Sequence, residues 1–215
     1  MTRLLTADIT DIAANLQNYD RDLVARTGYS LCGIACCAAE TDETQIKKLL
    51  PSIRVGVIPI SSGEGIISGF GETVLSILLH LGANAFLTRT TDVAGIAESF
   101  EKKADIVMLA DDERFAALHL RSRSIADNAV CTGMAFAVGL RLMAGSLKGR
   151  EVLVIGCGPV GRSSAQALIR MGARVSVYDV QVETTMEWVK MIGQETDSKI
   201  QIVKTLEPAL QGHRF

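Results

Sequence analysis

The sequence predicts an α/β protein: N-terminal helices and a small parallel-sheet domain, followed by an incomplete Rossmann dinucleotide-binding domain. Three observations carry this. The run Glu151-Val152-Leu153-Val154-Ile155 leads into Gly156-Cys157-Gly158-Pro159-Val160-Gly161, a G-x-G-x-x-G pattern behind a short apolar strand. A second strand follows, Arg174 to Tyr178, and ends in Asp179, eighteen residues after Gly161. Upstream, three apolar runs alternate with two helical patterns between residues 54 and 110. That order predicts parallel strands joined by right-handed crossovers.

Thr6 reads as an N-cap, with Ile9, Ile12, Ala13, Leu16, Tyr19 and Leu23 at helical spacing and Gly28 as the stop. Asp8, Asp11, Asp20 and Asp22 are expected on its solvated face. A small, apolar second helix spans Leu31 to Ala39. A short third opens at Thr41-Asp42-Glu43 and ends at Pro51. The period then changes. Arg54 to Ile60, Ala85 to Thr88 and Asp105 to Ala110 read as strands, and Glu72 to Leu81 and Val93 to Lys103 as helices. A long helix is expected from Thr132 to Leu147. The predicted domains are therefore 1–131, a connecting helix over 132–148, and a nucleotide domain over 149–215.

Ligands of such sheets bind beyond the carboxyl ends of the strands. Two segments fall there: Ser61-Ser62-Gly63-Glu64-Gly65-Ile66-Ile67-Ser68-Gly69-Phe70 and Asp111-Asp112-Glu113-Arg114-Phe115. The N–H and O–H groups of the first suit a carboxylate or amide. The carboxylates of the second suit an ammonium, or else cap a turn.

In the glycine motif the first glycine makes the turn, the second lets a pyrophosphate approach and the third packs helix on strand. The helix from Pro159 to Met171 aims its N–H groups and positive dipole end at the phosphates. Gly156, Gly158, Pro159, Val160 and Gly161 are therefore the predicted cofactor residues. Asp179 would accept from the ribose hydroxyls and repel a 2′-phosphate, so NAD is expected rather than NADP. A helix from Val182 to Ile192, a strand at Ile200 to Val203 and a short helix from Leu206 to Gln211 follow. A complete dinucleotide fold needs further strands, so the C-terminal part is expected to be missing.

The 215 residues are 48% hydrophobic and 21% charged, with a net charge of −2. That balance gives no footprint for nucleic acid or a membrane surface. No leader or membrane-length apolar run is visible, and a cytoplasmic location is expected. The five cysteines, Cys32, Cys36, Cys37, Cys131 and Cys157, form no C-x-x-C pair, and His80, His119 and His213 are scattered. Free thiols and no metal site are expected.

Several blocks resemble the NAD-dependent dehydrogenases that complete pyrrolysine biosynthesis, the PylD family. They are Leu4-Leu5-Thr6, Arg26-Thr27-Gly28, Val57 to Phe70, Met108 to Phe115, Ile125 to Gly133 and Val152 to Gly161, in one order along nearly the whole chain. The resemblance implies oxidation of the terminal amine of 3-methylornithyl-N6-lysine, a zwitterionic amine, with loss of ammonia and closure of a pyrroline ring. It implies that Asp111 faces the developing iminium, with Asp112 and Glu113 as runners-up. It implies that Leu5, Thr6, Ser61, Ser62, Ile67 and Asn128 line the substrate cavity. Cys131 and Thr132 are implied at the nicotinamide end, though Cys131 equally suits a small inert apolar position. A homodimer is expected. Two rivals stay open on the residues alone: another amino-acid dehydrogenase, and a non-catalytic NAD-binding module.

Overall fold

In the computed structural model, residues 5–195, 200–213 and 215 are described. By packing, the chain divides into two compact units, one running to Asn128 and the other beginning at Ala129.

In the first unit, α1 (Thr6–Ile9) and α2 (Ile12–Thr27) replace the single helix expected. At the break, the Thr10 Oγ1 hydroxyl donates back to the Thr6 carbonyl at 2.7 Å. This is a known way for threonine to disturb a helix. Leu5, not Thr6, is the N-cap, and its N–H donates to Asp8 Oδ2 at 2.7 Å. Gly28 ends α2 in the left-handed conformation, as the pattern predicts. α3 (Leu31–Ala38) and α4 (Glu43–Leu49) follow, and Pro51 lies in a 3-10 turn, Leu50–Ser52.

Asp20 does not belong to a solvated face. It pairs with His80 Nε2 at 3.0 Å and accepts the Leu31 N–H at 2.5 Å, tying α2 to the start of α3 and to the helix that carries His80. Cys32 and Cys36 are buried on α3, and burial, then Cys32 beside it, pushes the Cys36 thiol up to about 11. Such a thiol stays protonated and inert at neutral pH.

The sheet of this unit contains β1 (Arg54–Pro59), β2 (Asn84–Leu87), β3 (Ile106–Ala110), β4 (Phe115–His119) and β5 (Ser124–Asp127) in the order β2-β1-β3-β4-β5. α5 (Phe70–His80) joins β1 to β2, and α6 (Asp92–Glu101) joins β2 to β3. β1 pairs parallel with β2 and β3, as the continuous apolar runs predict. The expected βαβαβ arrangement is present, but it is not the whole sheet. β4 and β5 add an antiparallel hairpin, so the sheet is mixed. The chain leaves β1 toward β2 on one side and reaches β3 on the other. The carboxyl ends of β1 and β3 therefore flank the topological switch point, where open α/β sheets bind ligands.

The second unit holds nearly all of α7 (Asn128–Ala144), which begins earlier than the expected Thr132. β6 (Glu151–Ile155), α8 (Pro159–Arg170), β7 (Arg174–Tyr178), α9 (Val182–Glu195), β8 (Gln201–Ile202) and α10 (Leu206–Gly212) follow. The parallel sheet is ordered β6-β7-β8. On the other edge of β6, the Leu153 N–H donates to the Phe215 carbonyl at 2.8 Å. Leu147, Val177, Ala165 and Trp188 are nearly fully buried and form its core. Each large apolar side chain so buried contributes roughly 1.5–3 kcal/mol. Among the described residues, no helix is long and apolar enough to cross a membrane.

Candidate active site

At the switch point of the first unit lies a cavity. The end of β1 (Val57 to Pro59) with the next residue, Ile60, and the end of β3 (Met108 to Ala110) line it, and Gly65, Ile66 and Ile67 contribute from the following loop. Phe70 and Phe115 meet edge to face on its wall, with centroids 5.6 Å apart and planes at 70°. The lining is apolar except for Asp111, Asp112 and Asn128. A few polar groups in an apolar cleft are the usual composition of a small-molecule site.

The two aspartates have different jobs. Asp111 is exposed, and its Oδ1 accepts the N–H groups of Glu113 and Arg114 at 2.9 and 2.8 Å. This fixes the carboxylate on the turn between β3 and β4. Asp112 Oδ2 accepts the Glu64 N–H at 2.6 Å and so anchors the loop that leads into α5. A Cβ on Gly63 would overlap that same oxygen. Arg114 reaches Asp127 Oδ2 through Nε at 2.8 Å, bracing β4 against β5.

Of the residues predicted for substrate contact, the cavity brings together Ile67, Asp111 and Asn128. Ser61 and Ser62 sit exposed on the loop and are not among the lining residues, and neither are Leu5 and Thr6 at the start of α1. Glu113 is an exposed turn residue whose N–H is held by Asp111.

The second unit holds the glycine turn. Gly156 has φ +93°, and a Cβ on Gly161 would overlap the Gly156 carbonyl oxygen. The fold itself demands both glycines. Gly158 differs: its φ is −67°, and a Cβ there would meet nothing within 4 Å. Nothing in the protein requires glycine at that position, and in a turn of this pattern the second glycine is the one that leaves room for a phosphate to approach the backbone. The twelve-residue α8 opens there with Pro159 at its first turn. These residues fit a dinucleotide.

Asp179 stands at the end of β7 as expected. Its Oδ2 accepts the Cys157 N–H at 2.5 Å and its Oδ1 the Gln181 N–H at 2.7 Å. Those two backbone donors hold its carboxyl below the usual range. Arg162 Nε donates to the Cys157 carbonyl at 2.7 Å, and its guanidinium lies over Trp188. The glycine turn is thus held from both sides. Cys157 is buried, and burial pushes its thiol up.

Cys131 is exposed and Thr132 half-buried on α7. The next residue, Gly133, packs so closely that a Cβ would lie 2.7 Å from the Val160 carbonyl. Both therefore sit beside the first turn of α8. Among the described residues, no group of histidine, cysteine or acidic side chains could hold a metal.

Sequence reasoning missed Phe115 as a wall residue and Asp92 as a loop anchor. The apolar alternation of Phe115 to His119 is a weak strand signal. Asp92 follows Thr90-Thr91 like an ordinary helix start, and only the fold brings it to Ser61.

Two family descriptions match the chain. Residues 8–126 match "Pyrrolysine biosynthesis protein PylD, N-terminal domain", and residues 128–211 match "Alanine dehydrogenase/PNT, C-terminal domain". A protein of Methanosarcina barkeri (strain Fusaro / DSM 804) named pyrrolysine synthase is 33% identical over 188 residues, covering 87% of this chain and 68% of that protein. A pyrrolysine synthase of Methanosarcina acetivorans is 31% identical over 202 residues, covering 90% and 71%. The solved structure of an Ael1 enzyme from Pseudomonas putida superposes with a TM-score of 0.52 at 15% identity, covering 74% of this chain and 65% of that one. It shares the fold. With more than half of its residues in the first match and two relatives above 30% identity, the chain belongs to the family of the pyrrolysine biosynthesis protein PylD.

Proposed function

We propose that this chain is an NAD-dependent amine dehydrogenase that oxidises the terminal amine of 3-methylornithyl-N6-lysine and so forms pyrrolysine. The observation that carries this reading is an apolar cavity at the switch point with a fixed carboxylate, Asp111, on its rim, in a chain of this family. Gly156, Gly158, Pro159, Val160, Gly161 and Asp179 hold the dinucleotide, and the bound nicotinamide supplies the hydride acceptor.

The amine must be neutral when hydride departs, because an ammonium has no lone pair to push. The rate therefore climbs with pH toward the ordinary amine value near 10.4. As hydride leaves, positive charge develops on the amine nitrogen and its carbon. Asp111 meets that charge with one oxygen pinned by two backbone donors, so its orientation does not have to be found during the reaction. Its attraction for a cation about 4 Å away is worth about 1 kcal/mol in water and about 4 kcal/mol at an effective dielectric constant near 20. The α-amine of the ornithine part then attacks the oxidised carbon, ammonia leaves and the ring closes. Per turnover, one hydride, one proton and one ammonia leave the substrate.

The same reading places the enzyme in the cytoplasm as a homodimer. An exposed apolar run on α6, Val93, Ile96 and Phe100, is a surface of the kind that copies bury. Light scattering of the purified chain tests the dimer.

The reaction is tested by mass spectrometry of the product together with ammonia release. A product lighter than the amide by one ammonia and two hydrogens, with one ammonia freed per NADH, is expected. NADH formed with an amino acid such as ornithine, lysine or alanine in place of the amide would favour the rival dehydrogenase. Dinucleotide binding with no oxidation of any amine would favour the non-catalytic module.

A further inference from the structure

The glycine turn between β6 and α8 is held at two consecutive peptide groups. In the first, Gly156–Cys157, the Cys157 N–H donates to Asp179 Oδ2 at 2.5 Å. In the second, Cys157–Gly158, the Cys157 carbonyl accepts from Arg162 Nε at 2.7 Å. Arg162 grips the turn a second time, because its own N–H donates to the Gly158 carbonyl at 2.9 Å. Its guanidinium is fixed in turn from α9. It lies over the Trp188 ring, 5.7 Å from the centroid, and Nη2 reaches the Thr184 carbonyl at 3.5 Å. Trp188 is buried in the core of this unit, so the Cys157 carbonyl is tied to packed structure.

A trans peptide is planar, and its N–H and C=O point to opposite sides. The Cys157–Gly158 peptide is trans. Holding the Cys157 carbonyl on Arg162 therefore also sets the Gly158 N–H, which points away from the guanidinium and from α9. Gly158 is exposed, and none of the described residues accepts its N–H. Pro159, next in the chain, has no N–H to offer. A backbone donor that is fixed in place, with no acceptor in the protein, at the start of a helix suits an anionic oxygen of a ligand.

We propose that Arg162 is a positioning residue for the dinucleotide: by taking the Cys157 carbonyl it presents the Gly158 N–H to the pyrophosphate, and it does so through Nε rather than through its charge. Without that bond the peptide has to be ordered when the phosphate binds. With it, the donor stands ready beforehand. The inference rests on the proposed reading of the glycine turn as the dinucleotide site.

The test is calorimetric titration of the chain with NAD, for wild type, Arg162→Met, Arg162→Lys, Gly158→Ala and the Arg162→Met, Gly158→Ala double variant, with a ligand-free thermal melt of each. Methionine keeps an apolar stem against Trp188 and removes both donor and charge. Lysine keeps the charge but carries a CH2 group where arginine carries Nε. We expect NAD affinity to fall about tenfold in Arg162→Met, as loss of a charge-assisted hydrogen bond implies, and by a similar factor in Arg162→Lys. The ligand-free melting temperature should drop by no more than about 4 °C, the scale of one such bond in a chain of this size. In Gly158→Ala the added methyl already keeps the phosphate from the N–H, so the double variant should bind no more weakly than Gly158→Ala alone. Wild-type affinity in Arg162→Met or Arg162→Lys, normal binding by Gly158→Ala, additive losses in the double variant, or a melting temperature lowered well beyond that scale would each overturn the inference. If wild type does not bind NAD, the reading of the turn as a dinucleotide site fails and takes this inference with it. A wild type that binds, with unaffected Arg162 variants, refutes this inference alone.

Discussion

Two strand-to-helix turns do comparable jobs in the two units and are built in opposite ways. From β1 to α5 the chain takes residues 60–69 to turn. From β6 to α8 it takes Gly156, Cys157 and Gly158. Both turns are pinned by carboxylates from later in the chain: Asp92, at the start of α6, and Asp112 hold the first, and Asp179 the second. The short turn is dictated by steric contact inside itself, chiefly Gly161 against Gly156. The long one is dictated by partners dozens of residues away. A turn of the first sort can be read as a spacing of glycines; one of the second sort needs the fold.

The largest effect expected from this contrast is at Gly161. Gly161→Ala drives a methyl into the Gly156 carbonyl, which is backbone and cannot step aside. We expect a loss of at least roughly 1–3 kcal/mol, seen as a lower melting temperature, together with loss of dinucleotide binding. Gly158→Ala sharpens the comparison. It meets nothing in the protein, so the melting temperature without ligand should hold while dinucleotide affinity falls about tenfold or more, measured by calorimetry. If Gly158→Ala binds normally, the space above it is not a phosphate site.

Asp112→Ala comes next. It removes the anchor of the Glu64 N–H and should raise the amide KM severalfold with little change in NAD affinity, because the loop but not the glycine turn is loosened. Equal effects on both ligands would break the distinction between the two turns.

The smallest effect concerns Glu98, which accepts the N–H groups of Arg89 and Thr90 and pairs with Lys102 at 2.6 Å. Lys102, then Thr90 and Arg89, depress its carboxyl to about 2. A depressed carboxyl stabilises the fold above its unfolded value near 4.5, and that stability is lost as pH falls toward 2. Glu98→Gln should therefore flatten the loss of stability between those pH values, followed by urea melts. An unaltered acid slope would remove Glu98 from the account.

Much of the architecture was legible because short-range rules wrote it. The β1 and β3 runs, Gly28 and the Gly156–Gly161 turn all follow from local periodicity or steric demand. Asp179 was legible as a position, since its distance from the motif is fixed by one helix and one strand. Its hold on the Cys157 N–H was not. The hairpin of β4 and β5 was missed because its strands are short and their alternation weak. The role of Asp92 was hidden because its partner lies thirty-one residues earlier in sequence. Asp111 and Asp112 are adjacent and chemically identical, so only the donors around each assign the first to the turn at the cavity's rim and the second to the loop.

The most direct measurement is NADH absorbance on mixing the purified chain, NAD and the lysine–methylornithine amide, with free ornithine and lysine as controls, repeated on Asp111→Asn. Asparagine keeps an acceptor for the Glu113 and Arg114 N–H groups but removes the charge. The account predicts NADH with the amide alone and a rate lowered about 10- to 100-fold in the variant, the scale set by losing 1.4–3 kcal/mol of charge stabilisation. NADH formed equally with the free amino acids, or an Asp111→Asn enzyme as fast as wild type, would contradict it.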